Sequence, residues 1–340
     1  MSLIVTIFIY LATSFILNNS INFFKTFRLL DIPSNRSNHN EPKPKGAGLI
    51  LIPLVIFATL LVFFLENTLN NMWFLIFGFT LILTLISLLD DLKNISSKLR
   101  LFFQMFCVIS SLFLLKDEIN LLVENKFFDF IPIGFSFFKP FIISCFLTLA
   151  WVWIINLFNF MDGMDGITSI QIISLSIFVN ILGIANIIET NFLYFSLVLF
   201  AIFMAFLSVN KPPAKIFLGD VGSIPIGFLV GFIIIYNVIC TGLVIPFLII
   251  IMYYLLDSSI TLLNRLIKKQ NIFQAHSSHF YQKILRKGFS HSYVLKKIAI
   301  LNFLLLLLSI TSITFPFISF LLAILLTSSL LLFFNSRKKL

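Results

Sequence analysis

The sequence predicts an all-α polytopic membrane protein with roughly 10–11 transmembrane helices. Of its 340 residues, 59% are hydrophobic and only 11% are charged, which is more apolar surface than a soluble core requires. We expect one integral-membrane domain over residues 1–340. Apolar runs long enough to cross a bilayer lie near 3–24, 47–66, 72–89, 101–116, 138–155, 167–188, 191–209, 223–237, 240–263, 298–314 and 316–334.

The distribution of basic residues predicts the orientation. If the N-terminus lies outside, 21 of the 24 Lys and Arg residues fall in the inner segments, and only Lys116, Lys126 and Lys139 remain outside. Basic loops stay on the cytoplasmic side of a membrane. Topology thus explains the net charge of +10, and we expect no nucleic acid as a partner. We predict a multi-pass protein of the plasma (inner) membrane with cytoplasmic active-site loops.

A polar cluster interrupts the apolar pattern in the middle of the chain. Asn156, Asn159, Asp162 and Asp165 lie within ten residues, and on a helix the first three would share one face. Two glycines in the same stretch favour a helix break instead, where backbone can approach a ligand. Carboxylates at membrane depth are costly unless they have a function, so the cluster is a candidate site. The stretch contains no Lys or Arg, as a cation site requires. The alternative is a polar turn that merely joins two helices.

Two further clusters lie in the first two inner loops. Arg36-Ser-Asn-His39 is followed by Pro42 to Gly48, a stiff basic strip that opens into a helix and suits anions. Its alternative is a basic loop that binds lipid headgroups. The second loop begins with Asp90 and Asp91, whose mutual repulsion a divalent cation or a substrate proton would relieve. The alternative there is a helix end with ordinary capping acids.

The last two clusters follow residue 210. Asp220 lies between Gly219 and Gly222, a setting that suits a metal-bound phosphate contacted by free backbone amides. His276 and His279 are three residues apart, so on a helix they would share a face. A zinc pair is one interpretation, but no third soft ligand accompanies them. We therefore prefer phosphate hydrogen bonding for the two histidines.

In chain order, these five clusters resemble the motifs of the polyprenyl-phosphate N-acetylhexosamine-1-phosphate transferases, glycosyltransferase family 4, in the bacterial O-antigen-initiating form. The resemblance implies transfer of an N-acetylamino-sugar 1-phosphate from a UDP-sugar to undecaprenyl (polyprenyl) phosphate, with release of UMP. The product would start a cell-surface polysaccharide, and the family form also allows a homodimer. The matching stretches are Arg36 to His39 with Pro44 to Gly48, Asp90-Asp91 with Arg100 and Gln104, Asn156 to Gly166, Lys215 to Ser223, and His276 to Gln282.

The resemblance also implies roles for individual residues. Asp220 would bind Mg²⁺, or Mn²⁺ in its place, with Asn159 as a candidate second ligand. Phe217 would stack on uracil and Asp165 would hydrogen-bond the base. One of Asp90 and Asp91 would ready the lipid phosphate as a base, so these two and Asp220 are the candidate catalytic residues. The other candidate substrate-binding residues are Lys45, Asn94, Arg100, Asn156, Asp162, His276 and His279.

Two other classes of protein share parts of this pattern. A transporter would explain many spans, but it places charged residues near the bilayer midplane, often in repeated halves. Here the clusters fall on one side and the sequence shows no internal repeat. A metal-dependent lipid phosphatase or an alcohol phosphotransferase would share the acids and Mg²⁺, but not the paired uracil-pocket candidates Phe217 and Asp165.

Overall fold

The computed structural model describes residues 3–26, 30–31, 42–93, 95–123, 139–271 and 276–336. Within these ranges the chain forms fourteen helices and one antiparallel ribbon of β1 (Leu30–Asp31) and β2 (Lys43–Pro44). The helices are α1 (Leu3–Thr26), α2 (Gly48–Leu65), α3 (Asn71–Lys93), α4 (Ser97–Leu114), α5 (Lys116–Val123), α6 (Lys139–Met161), α7 (Ile167–Ile184), α8 (Thr190–Asn210), α9 (Asp220–Thr241), α10 (Val244–Ile250), α11 (Met252–Ile267), α12 (Phe280–Arg286), α13 (His291–Thr311) and α14 (Pro316–Ser336).

The predicted all-α class and number of spans are confirmed. Ten of the described helices are long and apolar enough to cross a membrane. The apolar run at 240–263 is not one straight span, because α10 and α11 are bent by 75° where they meet at Ile251. Gln171 Nε2 donates to Ile250 O at 2.9 Å and so satisfies a carbonyl at the bend. The single-domain organisation and the homodimer stay predictions.

Helix α9 is the most buried of the candidate spans, and α6 packs closely against it. Gly231 permits this approach, since a Cβ there would collide with the ring of Trp151 on α6. Trp151 Nε1 also donates to Phe228 O at 2.9 Å. This helix contact fixes the position of α6 relative to α9. It therefore also fixes the turn that follows α6 relative to the loop that precedes α9.

Successive spans alternate in direction, so the segments 42–47, 95–96, 162–166, 211–219, 268–271 and 276–290 lie at one end of the bundle, which we name the site end. Contacts between these segments confirm that they meet, for example the hydrogen bond from Ala214 N to Asp165 Oδ2. At the opposite end, Tyr194 donates to Glu66 at 3.1 Å. The described parts of the polar clusters therefore lie at one end of the bundle, while the side of the membrane stays a prediction.

Candidate functional site

The first turns of α2 and α9 touch backbone to backbone, and this contact brings Lys45 against Gly219, the residue before Asp220. A Cβ on Gly48 would collide with the backbone of Gly222, so glycine is required at this crossing. Lys45 forms a parallel bridge with Phe217, and Gly46 N donates to Phe217 O at 3.1 Å. The small residues after the Lys-Pro strip therefore serve a close helix contact.

The prediction of free amides around Asp220 is wrong for Gly222 and Ser223. Both of these amides donate to Gly219 O at 2.9 Å. The reason is that α9 begins at Asp220, so these amides belong to the bonded first turn of that helix. Gly219 has a φ of +76°, a backbone conformation that glycine adopts without strain.

Carboxylates and cations alternate around Asp220. Lys45 Nζ lies 2.9 Å from Asp91 Oδ1. Arg100 Nη1 lies 2.7 Å from Asp90 Oδ2 and 3.7 Å from Asp220 Oδ2. The Asp220 side chain is 31% exposed, so the cluster is open at the site end. We therefore see a cluster of three acids and two cations that a charged ligand can reach.

Asp162 adds a fourth carboxyl group to this cluster. It accepts a hydrogen bond from Thr168 Oγ1 at 2.6 Å. Burial raises the pKa of Asp162 to about 8, with the Thr168 hydrogen bond opposing the shift and the charge of Asp220 adding to it. The raised pKa favours the protonated form of Asp162, and a cation placed beside Asp220 would favour release of that proton.

Asp165 is buried and bonded to the protein. Its Oδ2 accepts from Ala214 N at 3.0 Å, and its Oδ1 lies 3.3 Å from His291 Nδ1. Burial alone would raise the pKa of the Asp165 carboxyl group. The contacts with His291 and with the Ala214 amide outweigh this effect and lower that pKa below its ordinary value. The ionised Asp165 thus clamps the 211–219 loop to the 162–166 turn, and its contact with a nucleobase stays a prediction.

The Asn156–Gly166 stretch is part helix and part turn, so both interpretations of it apply. Helix α6 continues to Met161, which places Asn156 and Asn159 on its last two turns, and the chain then turns before α7 begins at Ile167. Asn156 Nδ2 donates to Gln104 Oε1 at 2.9 Å, which links α6 to α4. Both asparagines are half-buried at the site end.

Sequence reasoning missed three residues of this region, namely Asn210, Asp257 and His291. Asn210 is the last residue of α8, where its Oδ1 accepts from Gly166 N and its Nδ2 donates to Ile216 O, both at 2.9 Å. It thereby joins the turn after α6 to the loop before α9. A buried amide at the end of an apolar run, just before Lys-Pro-Pro, was the available signal.

Phe217 is half-buried at the mouth of the cluster. Lys43 Nζ lies 5.4 Å from the centroid of its ring, a cation–π contact. Phe217 thus differs in position from phenylalanines such as Phe57 and Phe146, which are exposed along the membrane spans. This placement suits an aromatic platform beside a charged ligand.

The prediction that His276 and His279 share a helical face is wrong. Helix α12 begins only at Phe280, so His279 immediately precedes it and His276 lies in non-helical chain. Their rings nevertheless stack with centroids 5.1 Å apart. Burial lowers the pKa of His276 to about 4, with His279 and Arg265 adding to the shift, so His276 is neutral at pH 7. It can therefore hydrogen-bond a phosphate but does not offer a charge.

Two predicted elements fall on residues that the structure does not describe, namely Asn94 and the Arg36–His39 motif. Every other predicted site residue lies at the site end. Asp90, Asp91, Asp220, Lys45 and Arg100 form the charged cluster. Phe217, Asn156, Asn159, Asp162, Asp165, His276 and His279 lie on the segments around it.

The side chains around Asp220 have the right donor chemistry for Mg²⁺. No three His, Cys, Asp or Glu side chains within the described ranges are placed to hold a metal ion by themselves. Mg²⁺ commonly takes only one or two protein carboxylates and completes its shell with water and substrate phosphates. The acids at this site offer the oxygen ligands that such a shared shell needs. The site thus fits a metal that arrives together with a phosphorylated ligand.

Comparison with known proteins identifies relatives that match large parts of the chain. The model of Glycosyl transferase family 4 matches residues 73–238, which include Asp90, Arg100 and Asp220. The chain is 27% identical over 281 residues to the Bacillus subtilis (strain 168) "Probable undecaprenyl-phosphate N-acetylglucosaminyl 1-phosphate transferase", covering 81% of this chain and 75% of that protein.

Two other relatives extend this similarity. An "Undecaprenyl-phosphate alpha-N-acetylglucosaminyl 1-phosphate transferase" of Thermotoga maritima is 30% identical over 215 residues, covering 63% of this chain and 59% of that protein. A "Phospho-N-acetylmuramoyl-pentapeptide-transferase" of Buchnera aphidicola is 27% identical over 345 residues, covering 89% of this chain and 92% of that protein. The similarity therefore reaches across most of the chain.

Proposed function

We propose that the chain, which matches the model of Glycosyl transferase family 4 over residues 73–238, transfers an N-acetylamino-sugar 1-phosphate from a UDP-sugar to undecaprenyl phosphate. A phosphate oxygen of the lipid attacks the β-phosphorus of the UDP-sugar, the bond between that phosphorus and the bridging oxygen breaks, and UMP leaves. The observation that carries the proposal is the meeting of Arg100 and Lys45 with the acids around Asp220 at one end of a membrane bundle. A lipid phosphate and a water-soluble nucleotide can both reach such a place.

The arrangement suits phosphoryl transfer because that reaction needs alignment and charge neutralisation more than covalent help. Without ligand, Arg100 and Lys45 are paired with Asp90 and Asp91. An entering diphosphate competes for the same cations and releases the carboxylates, one of which can then accept a proton from the lipid phosphate. Mg²⁺ held by Asp220, with Asn159 nearby on α6, would neutralise charge on the diphosphate.

Phe217 is proposed as the nucleobase platform, and its removal should weaken nucleotide binding. We expect Phe217→Ala to reduce the affinity for UMP by about 1–3 kcal/mol, the usual contribution of base–aromatic stacking. Calorimetric titration of the purified protein with UMP measures this change. Phe217→Tyr keeps the aromatic face and should bind normally, while Phe217→Leu should be as weak as Phe217→Ala. Affinity for UMP equal to that of the wild type in all three variants would exclude stacking.

The product is proposed to be the first lipid-linked sugar of a cell-surface polysaccharide such as O-antigen. Membranes containing the protein are incubated with undecaprenyl phosphate and a panel of UDP-N-acetylamino sugars, and the lipid product is identified by mass spectrometry. The proposal requires one lipid diphosphate that carries a single amino sugar. Formation of free sugar phosphate without any lipid diphosphate would instead indicate a hydrolase.

The site end is proposed to face the cytoplasm from the inner membrane, because 21 of the 24 basic residues fall on that side. In a variant with its three cysteines replaced by serine, we introduce Thr314→Cys or Gln270→Cys. Both positions are exposed; Gln270 lies at the site end and Thr314 at the opposite end. A membrane-impermeant maleimide should label the first in intact cells and the second only after permeabilisation. The reverse pattern would overturn the orientation.

A further inference from the structure

Asp257 is a fully buried carboxylate to which the proposed reaction assigns no role. It lies on α11, beyond the bend, with 0% of its surface exposed. Its Oδ1 accepts from Phe280 N at 3.0 Å and lies 3.1 Å from His279 Nδ1, and its Oδ2 lies 3.4 Å from Tyr281 N. A buried carboxylate is stable only where donors surround it. Here those donors are the residue before α12, the first two amides of that helix and, at 3.4 Å, the hydroxyl groups of Tyr253 and Thr261 on α11 itself.

The His279 ring held by Asp257 belongs to a column of stacked rings. It stacks on His276 at 5.1 Å and on Tyr281 at 5.9 Å between centroids. Tyr281 donates its hydroxyl hydrogen to Phe160 O at 3.0 Å, just before the 162–166 turn. A Cβ on Gly163 would collide with the same hydroxyl group, so the column abuts that turn directly.

The two histidines differ in how far a ligand can reach them. His279 is 2% exposed and its Nδ1 faces Asp257, whereas His276 is half-buried at the outer end of the column. A carboxylate that accepts from Nδ1–H fixes both the orientation of an imidazole ring and its tautomer. Asp257 therefore fixes the ring of His279, and the stacked His279 ring in turn restrains the ring of His276. Of the two histidines, His276 is the one that a substrate can reach.

We infer that Asp257 is a positioning residue, which holds the first turn of α12 and the ring of His279 and so fixes the place of His276 at the outer end of the ring column. This inference deepens the proposed function, and its kinetic test rests on that function. The structural test below does not.

The structural test is amide hydrogen exchange of the purified protein without substrate. Asp257→Asn keeps the size of the side chain but replaces one acceptor oxygen with a donor. The amides of Phe280 and Tyr281 should then exchange about tenfold faster or more, while those of α7 and α8 exchange as before. Tyr253→Phe, which removes only a hydroxyl 3.4 Å from Asp257, is the matched control and should leave α12 unchanged. Unchanged exchange at α12 in Asp257→Asn would overturn the inference.

The kinetic test is a double-mutant cycle. We expect Asp257→Asn and His276→Ala each to lower kcat/KM for the UDP-sugar by about 10–100-fold, and the double variant to be at most about threefold worse than His276→Ala. A double variant that loses the product of the two factors, or a His276→Ala variant with normal activity, would overturn action through His276.

A second route covers the case in which Asp257→Asn does not fold. His279→Phe retains a ring for the stack but removes Nδ1. We expect it to lower kcat/KM in the wild-type background but to cause little further loss when it is combined with His276→Ala. Additive defects would again overturn the inference. If the wild-type protein transfers no sugar phosphate at all, the proposed function fails, while hydrogen exchange still decides whether Asp257 orders α12.

Discussion

Asp220→Asn should lower turnover by about a hundredfold to a thousandfold while leaving the fold intact. The substitution removes the negative charge that would bind Mg²⁺ on a diphosphate, a loss worth about 3–4 kcal/mol of transition-state stabilisation. The fold should survive because Asp220 is partly exposed at the start of α9, and its ion-pair contact with Arg100 is a long 3.7 Å.

Initial rates at saturating Mg²⁺, together with thermal unfolding of the purified variant, measure the two effects. Asp117→Asn is the matched control, since Asp117 is an exposed acid in the first turn of α5 at the opposite end of the bundle. The control should keep near-native turnover. Near-native turnover of Asp220→Asn with Mg²⁺ present would remove Asp220 from the reaction.

Arg100→Ala should also lower kcat by about a hundredfold or more, because Arg100 faces both Asp90 and Asp220. Its loss leaves those two carboxylates without their shared cation, so the variant should reach half-maximal activity at a lower Mg²⁺ concentration. Arg100→Lys keeps the charge but not the planar fork, and it should fall between the wild type and Arg100→Ala.

The Mg²⁺ titration separates this effect from a loss of folded protein, which would lower the maximal rate without changing the midpoint. Lys98→Ala is the matched control, because Lys98 is an exposed cation in the same first turn of α4. It should behave as wild type. An Arg100→Ala variant with normal kcat would show that the observed pairing with Asp90 has no part in transfer.

The spans and the grouping of the polar clusters could be predicted because both depend on local composition. A run of apolar residues specifies a membrane helix without knowledge of its neighbours. Alternating directions then bring Asp90, Arg100 and Asp220 to one end, although 120 residues separate the last two. The glycines at 48 and 222 were visible in sequence, but their use in a backbone contact depends on a helix crossing that no local pattern encodes.

The residues that order the site could not be predicted in the same way. Asn210 and Asp257 are single polar residues in apolar runs, and their partners lie on other segments. Spacing alone suggested a helical His276–His279 pair, but Asp257 accepts from the first amides of α12 and so helps to begin that helix at Phe280. The bend at Ile251 likewise depends on a distant partner, Gln171.

Exchange of labelled UMP is the most direct test of the claim that this protein catalyses reversible sugar-phosphate transfer. The reaction breaks one phosphoanhydride and forms another, and the same transition state is crossed in both directions. Label should therefore pass from UMP into UDP-sugar only when lipid-linked sugar diphosphate and Mg²⁺ are both present, and Asp220→Asn should slow the exchange by about the same factor as the forward reaction. Forward activity with the matched lipid and sugar, but without any such exchange, would contradict direct transfer.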